Sequence, residues 1–411
     1  MKFAIIRERK NPPDRRVVFT PEQLNRLNLA FAKAEFIAES SPIRIFSDEQ
    51  YTSHGITVTD DVSSADVMIG VKEVPIDALI PKKKYFFFSH TIKKQPYNKE
   101  LLRAILDKKI ELYDHETIVR KNGARLIGFG RYAGIVGAYN GFRALGLRDD
   151  IFNLPKVERL PDYEALQQEL KQIKDKLPPI HIVMTGNGKV AGGIKEILDT
   201  LEIKQLKPKE YLQLGHFQNK QTTFTILDVQ HYYTRKDGYR PTKTECYNNP
   251  ELLVSDFMKY AQVTDMLITG HFYGNGAPYL FTREDAKQSD FKIDLVADVS
   301  CDIDGPIAST LRPSTIKDPL YGYDAQGENE VPFKTPGSIT VMAVDNLPCE
   351  LPKDASEGFG EMFEKHVIPA FFNGDRNGVL ERAKMTTSEG KLTERFAYLN
   401  DFVYSEESSE N

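Results

Sequence analysis

Ile180-His181-Ile182-Val183-Met184-Thr185-Gly186-Asn187-Gly188-Lys189-Val190-Ala191 is the stretch on which the reading of this chain turns. A β-rich apolar run leads directly into GNGKVAGG, and Ile194, Ile197 and Leu198 then recur at helical spacing. A bare GxGxxG/A pattern is weak, but a strand before it and a helix after it supply the setting it needs. Gly186 permits a tight turn, Gly188 lets the backbone approach a pyrophosphate, and the small Ala191 brings helix and strand together. Lys189 and Val190 open the helix, whose N-terminal amides favour negative charge. The plainer alternative is a tight turn that binds nothing. An acidic residue is expected about 20 residues further on. The best strand-end candidate is instead Asp228 in FTILDV, about 40 residues on, so an insertion must intervene.

Upstream, Leu166, Leu170, Ile173 and Leu177 mark a charged helix ending at Pro178-Pro179, which suggests a domain boundary. Before it, RYAGIVGAYNGFRALGL from Arg131 to Leu147 predicts a helix rich in small residues that packs closely on its neighbours. The first 130 residues alternate strands and helices. Met1 to Arg7 predicts a strand, and Thr20-Pro21 a helix start with Thr as N-cap and Pro at the first position. Ile43 to Phe46, Val67 to Val71 and Tyr85 to Ser89 are short β-rich runs, and Leu101, Leu102, Ile105 and Leu106 form one helical face. Such alternation favours a parallel sheet covered by helices. Downstream, strands are expected at Thr223 to Leu227, Met266 to Thr269, Leu295 to Val299 and after Gly337. A helix follows from about Asp354 to Phe371, and the tail from Ser405 is expected to be a solvated end.

A length of 411 residues suggests two or three domains. Lys plus Arg at 54 against Asp plus Glu at 59 gives a net charge of -5, which argues against a dedicated nucleic-acid binder. No apolar run approaches the ~20 residues of a membrane span, and MKFAIIRERK has no signal-peptide core. A soluble cytoplasmic protein is expected, with no membrane partner. Three dispersed cysteines exclude a disulfide scaffold and a CxxC zinc site, and no metal site is expected. HExxH, GxSxG and P-loop patterns are absent.

Lys72-Glu73 follows the strand VMIGV, and His90 ends the strand YFFFSH. Carboxyl ends of strands face the ligand crevice of an α/β sheet, so the two form a plausible acid-base pair. Taken singly, each is better explained as a surface lysine and a core-edge histidine. Arg16 and Arg125 have the fork geometry to clamp carboxylates, although an ordinary surface arginine is the simpler reading of either. Lys82-Lys83-Lys84 is expected to be a solvated turn.

Taken in order, these segments resemble one family. KKKYFFFSHTIKKQPYNKELLRAILDKKIELYDHETI, RLIGFGRYAGIVGAYNG, TGNGKVAGG, TDMLITGHFYGNGAPYLFTREDA, DVSCDIDGPIAST and VDNLPCELPKDASEGFGEMF are similar to the lysine–2-oxoglutarate reductase and lysine-forming saccharopine dehydrogenase group. That group lies within the alanine dehydrogenase superfamily. The resemblance extends to the reductase half of bifunctional lysine-degrading enzymes, and a chain limited to that half is the expectation. The resemblance implies an α/β fold of two Rossmann-like domains with parallel sheets and the active site in the interdomain cleft. Residues 1–130 with 350–411 would form the substrate domain, and residues 131–349 the dinucleotide-binding domain.

It further implies that Lys72 and His90 are the acid-base pair, tuned by Glu73. Arg16, Gln95, Arg125 and Phe129 would line the substrate site, and Asp345 and Leu347 of the D-x-L-P loop would lie near the nicotinamide. The implied activity interconverts saccharopine with lysine and 2-oxoglutarate. The alternatives are a related alanine dehydrogenase-like or opine-type enzyme, or a catalytically silent NAD-binding protein. Where NADPH-preferring relatives carry serine and arginine, this chain has Asp228 and Val229, resembling the NAD-using fungal enzymes. A carboxylate there accepts from a ribose hydroxyl and repels a 2′-phosphate, so NAD is expected over NADP.

Overall fold

The computed structural model describes residues 1–214, 221–274, 276–303 and 305–405. The tail beyond Ser405, and part of the insertion expected before Asp228, lie outside the described residues. The chain forms two compact units, one of Met1–Phe129 with Pro352–Asn411 and one of Gly130–Leu351.

In the first unit, β1 (Lys2–Ile5), β2 (Glu35–Glu39), β3 (Thr57–Thr59), β4 (Val67–Ile69), β5 (Lys84–Phe87) and β6 (Glu111–Asp114) make one sheet. Its order is β3-β2-β1-β4-β5-β6, and every neighbouring pair is parallel. This is the doubly wound arrangement, in which the strand order reverses between β1 and β4 and a crevice opens beyond their carboxyl ends. The period-two alternation of side chains divides the core. Phe3, Ile5, Val67, Ile69 and Phe86 bury one face with Phe359 and Phe363 of the helix Pro352–His366. Ala4, Met68, Tyr85 and Phe87 bury the other with Leu101, Leu102, Ile105 and Leu106. At ~1.5–3 kcal/mol for each fully buried large apolar side chain, these layers hold the strand ends in place. Thr20 caps the helix Pro21–Ala30, with Gln23 closing a capping box.

The second unit contains β7 (His181–Thr185), β8 (Lys204–Leu206), β9 (Thr223–Leu227), the hairpin β10 (Tyr233–Arg235) and β11 (Leu253–Ser255), β12 (Met266–Thr269), β13 (Leu295–Asp298), β14 (Leu320–Asp324), β15 (Asn329–Val331) and β16 (Ile339–Met342). Eight of these form a sheet in the order β15-β14-β16-β13-β12-β7-β9-β8. It is parallel except at β14 and β15. The small residues of the helix Gly130–Arg148 have a direct use. A Cβ on Gly134 would lie 2.0 Å from the Val190 carbonyl oxygen, and one on Gly193 would lie 1.9 Å from that of Arg131. The helix therefore meets the helix Lys189–Thr200 backbone to backbone, which any side chain at either glycine would prevent.

Several sequence expectations are corrected. Pro178-Pro179 does not separate domains; it follows a helix, Tyr163–Ile173, that belongs to the same unit as β7. Ile43 to Phe46 is not a strand but a bend wrapped around Arg44. That guanidinium is buried, donating to the carbonyls of Glu39 at 2.7 Å and Phe46 at 2.9 Å. Lys84 leaves the expected lysine turn to open β5, where it pairs with Glu111 at 2.8 Å. The last long helix ends at His366, and Ile368–Phe371 is a 3₁₀ turn.

Candidate active site

Lys72, Glu73 and His90 all follow the carboxyl ends of neighbouring strands, β4 and β5, in the first unit. Glu8, just beyond β1, positions the first of them. Its buried carboxylate accepts from the backbone N–H of Val71 at 2.7 Å and of Lys72 at 2.8 Å. Burial pushes the Glu8 carboxyl up to about 7 against the pull of those two amides. Glu73 is shared: Oε1 lies 2.5 Å from His90 Nδ1, and Oε2 accepts from Lys10 Nζ at 2.8 Å. Burial alone would raise Glu73, but the bonds from His90 and Lys10 outweigh it and hold the carboxyl at about 2. An ionised Glu73 can only accept, so His90 Nδ1 carries a proton and Nε2 remains for proton exchange with a substrate.

Arg16 is buried and bidentate to Asp14, with Nε–Oδ1 at 3.0 Å and one terminal nitrogen to Oδ2 at 2.6 Å. Its guanidinium lies 4.2 Å from the centroid of the Phe129 ring, which stacks on Phe359 at 4.4 Å. Arg125 is half exposed and donates to Glu116 Oε1 at 2.5 Å. The other oxygen, Oε2, is buried with no hydrogen-bond partner among the described residues. Gln95 accepts from the Tyr97 hydroxyl at 2.5 Å.

Sequence reasoning missed Glu8, Asp14, Asp114, His115 and Glu116. Asp114 accepts from the Ser89 N–H at 2.8 Å, beside His90, and burial pushes its carboxyl up to about 6. His115 Nε2 donates to the Gly70 carbonyl at 2.8 Å, two residues before Lys72. Strand-end position is the signal that finds them, since all but Asp14 follow or end β1 or β6.

His115 is wholly buried, and burial holds its imidazole at about 4 against 6.5 in the unfolded chain. The unfolded state therefore binds a proton first as pH falls. The stability this neutral ring supplies is complete above pH 6.5 and is lost on acidification towards 4, by about 3 kcal/mol. His115→Phe should flatten the fall in Tm over that window relative to the native protein. An identical pH profile in both proteins would remove His115 from the account.

In the second unit, Gly186 has φ of +98°, and a Cβ there would lie 2.4 Å from the Gly270 carbonyl oxygen. Only glycine satisfies both conditions. Gly188 differs: it caps the helix Lys189–Thr200, and a Cβ there would meet nothing within 4 Å. Asn187, Gly188 and Lys189 are exposed, while Ala191 is buried and Val190 half-buried. Open space in front of the first-turn amides is what a dinucleotide pyrophosphate requires, so the residues present fit such a group.

Asp228 follows β9, the third strand of this unit in chain order but the spatial neighbour of β7, because β8 occupies the sheet edge. That explains the spacing of about 40 residues. Gly186 N–H donates to the Leu227 carbonyl at 2.8 Å, and the Asn187 side chain bonds the Asp228 carboxylate. Burial would raise that carboxyl, but bonds from Lys243, the Val229 amide and Asn187 together hold it below its usual range. Val229 is 4% exposed and packs in the core. The side chain at position 229 therefore starts among core residues rather than beside the open face of the glycine loop. Asp345 is exposed, whereas the Leu347 side chain is buried in the core, near Gly137.

The two sheets, each doubly wound and largely parallel, define the class: the chain has the fold of the alanine dehydrogenases and transhydrogenases. An L-alanine dehydrogenase superposes with a TM-score of 0.60 at 15% identity, covering 96% of this chain and 97% of that one. A transhydrogenase from Sinorhizobium meliloti gives 0.60 at 14%, covering 96% and 100%. Residues 4–136 match the model of the alanine dehydrogenase/PNT N-terminal domain. More particularly, the chain is related in sequence to alpha-aminoadipic semialdehyde synthases and lysine-forming saccharopine dehydrogenases. The mitochondrial alpha-aminoadipic semialdehyde synthase of Rattus norvegicus is 29% identical over 98% of this chain and 48% of its own length. The NAD(+), L-lysine-forming saccharopine dehydrogenase of Yarrowia lipolytica is 25% identical over 87% of this chain and 89% of its own. The chain thus spans about half the length of the first of these relatives. Among the described residues, no helix is long and apolar enough to cross a membrane.

Proposed function

We propose that this chain is an oxidoreductase on the CH–NH bond of an amino acid, interconverting saccharopine with L-lysine and 2-oxoglutarate. The observation that carries the reading is the set at the ends of β4 and β5, where Lys72 and His90 flank an ionised Glu73 held by Lys10. In the oxidative direction, Lys72 takes the proton from the secondary amine. A nicotinamide, when bound, would supply the hydride acceptor, and Asp345 is a residue that would help to hold it. Water adds to the resulting imine, and His90 Nε2 exchanges the protons of hydration and collapse. Arg125, and Arg16 braced by Asp14 and Phe129, take substrate carboxylates, with Gln95 adding a polar contact. Orientation of this kind contributes several kcal/mol.

The dinucleotide in this reading lies on Gly186 to Ala191, with Asp228 at the adenosine ribose, and NAD is preferred over NADP. The expected preference is about tenfold in kcat/KM, and Asp228→Ser should shrink it. A native preference for NADPH, or an unchanged ratio in the variant, removes Asp228 from the site. The test of the reaction is NADH oxidation with 2-oxoglutarate and each amino acid in turn. Lysine should be the best amine. Activity confined to ammonia with pyruvate would make the chain an alanine dehydrogenase-like enzyme instead, and no activity with any amine would indicate a silent relative.

A further inference from the structure

The carboxylate beside the glycine loop is not a bare negative charge. Asp228 Oδ2 accepts from Lys243 Nζ at 2.7 Å, and the lysine side chain is 45% exposed against 16% for the aspartate. Lys243 opens the helix Lys243–Asn248, whose N-cap Thr242 and Glu245 form a closed capping box, so its backbone is anchored while its ammonium faces solvent. Other basic groups border the same spot. His231 Nδ1 accepts from the Asp228 N–H at 2.9 Å. Its imidazole is held below its usual range, first by burial and then by the charge of Arg240, which is exposed. Lys259 also bears on His231, but it is paired with Asp256.

We infer that Lys243 is a specificity-determining residue of the dinucleotide site, neutralising Asp228 and, with Arg240, offering a cationic partner to a 2′-phosphate. The inference rests on the dinucleotide reading of Gly186–Ala191 and Asp228. A ribose hydroxyl can donate to Asp228 while Lys243 keeps its pairing. A 2′-phosphate brings nearly two negative charges, which Asp228 alone would repel. The exposed ammonium can turn from carboxylate to phosphate by rotation of its own stem, so the phosphorylated dinucleotide is disfavoured but not excluded. Val229, an apolar core residue, supplies no such cation. Lys243 supplies it from a different element.

Dissociation constants for NAD+ and NADP+, measured by titration calorimetry on the native protein, Lys243→Gln and Lys243→Arg, test this. Native protein should favour NAD+ by about tenfold. Lys243→Gln keeps a hydrogen bond to Asp228 but removes the charge, and should widen the ratio to a hundredfold or more through loss of NADP+ affinity. Lys243→Arg should restore the ratio to within about threefold of native. If Lys243→Gln binds NAD+ with an unchanged ratio, Lys243 has no such role while the dinucleotide reading stands. If the folded native protein binds neither dinucleotide, that reading falls and the inference with it.

Discussion

Lys72→Met and His90→Gln are each expected to lower turnover about 100-fold or more while NADH affinity stays near native. The expectation follows from geometry. The two residues follow adjacent parallel strands, and their backbones are held by groups that neither substitution disturbs: Glu8 accepts from the Lys72 N–H, and Asp114 from the Ser89 N–H. Removing the ammonium or the imidazole therefore removes a proton carrier without moving the strand that bore it. His90→Gln keeps a polar side chain for Glu73 to face but cannot exchange a proton. The two variants should also differ. Without Lys72 the hydride step slows, so a deuterium isotope effect on turnover should grow; without His90 the hydration steps slow, and the isotope effect should shrink. Near-native turnover in either variant would remove that residue from the chemistry.

Gly188→Asp should abolish measurable dinucleotide binding, weakening it about 100-fold or more, in a protein that melts no lower than the native one. Gly188 has an ordinary φ of -107°, and a Cβ there meets nothing within 4 Å. Aspartate is moreover a favoured N-cap, so the helix Lys189–Thr200 gains a cap where it has no side-chain cap now. The only expected loss is the approach of a pyrophosphate to a spot now occupied by a carboxylate. Gly186 is the contrasting control: with φ of +98° and the Gly270 carbonyl 2.4 Å from a Cβ, substitution there should damage folding itself. Unchanged affinity in Gly188→Asp would place the dinucleotide elsewhere.

How much of this was legible in the sequence depends on whether a residue's role is local. The strand, turn and helix around the glycine loop are legible because they are contiguous, and the strand-end positions of Lys72 and His90 because each follows or closes an apolar run. Glu8, Asp114 and His115 were not, because their partners Val71, Ser89 and Gly70 reach them only through strand pairing. Ile43 to Phe46 misled because alternating apolar residues suggest a strand, whereas Arg44 is the buried side chain and binds carbonyls of its own bend. Asp228 was found at an awkward spacing that only the edge position of β8 explains. Lys243 carries no motif and becomes visible only as an ammonium 2.7 Å from Asp228.

The most direct test of the central claim is the product formed when the native protein is incubated with NADH, L-lysine and 2-oxoglutarate. Mass spectrometry should find saccharopine, appearing in equal amount to the NADH consumed, forming slower by about 100-fold or more with Lys72→Met protein, and absent when lysine is left out. NADH consumed without saccharopine, or no consumption with lysine while another amine supports it, would contradict the account.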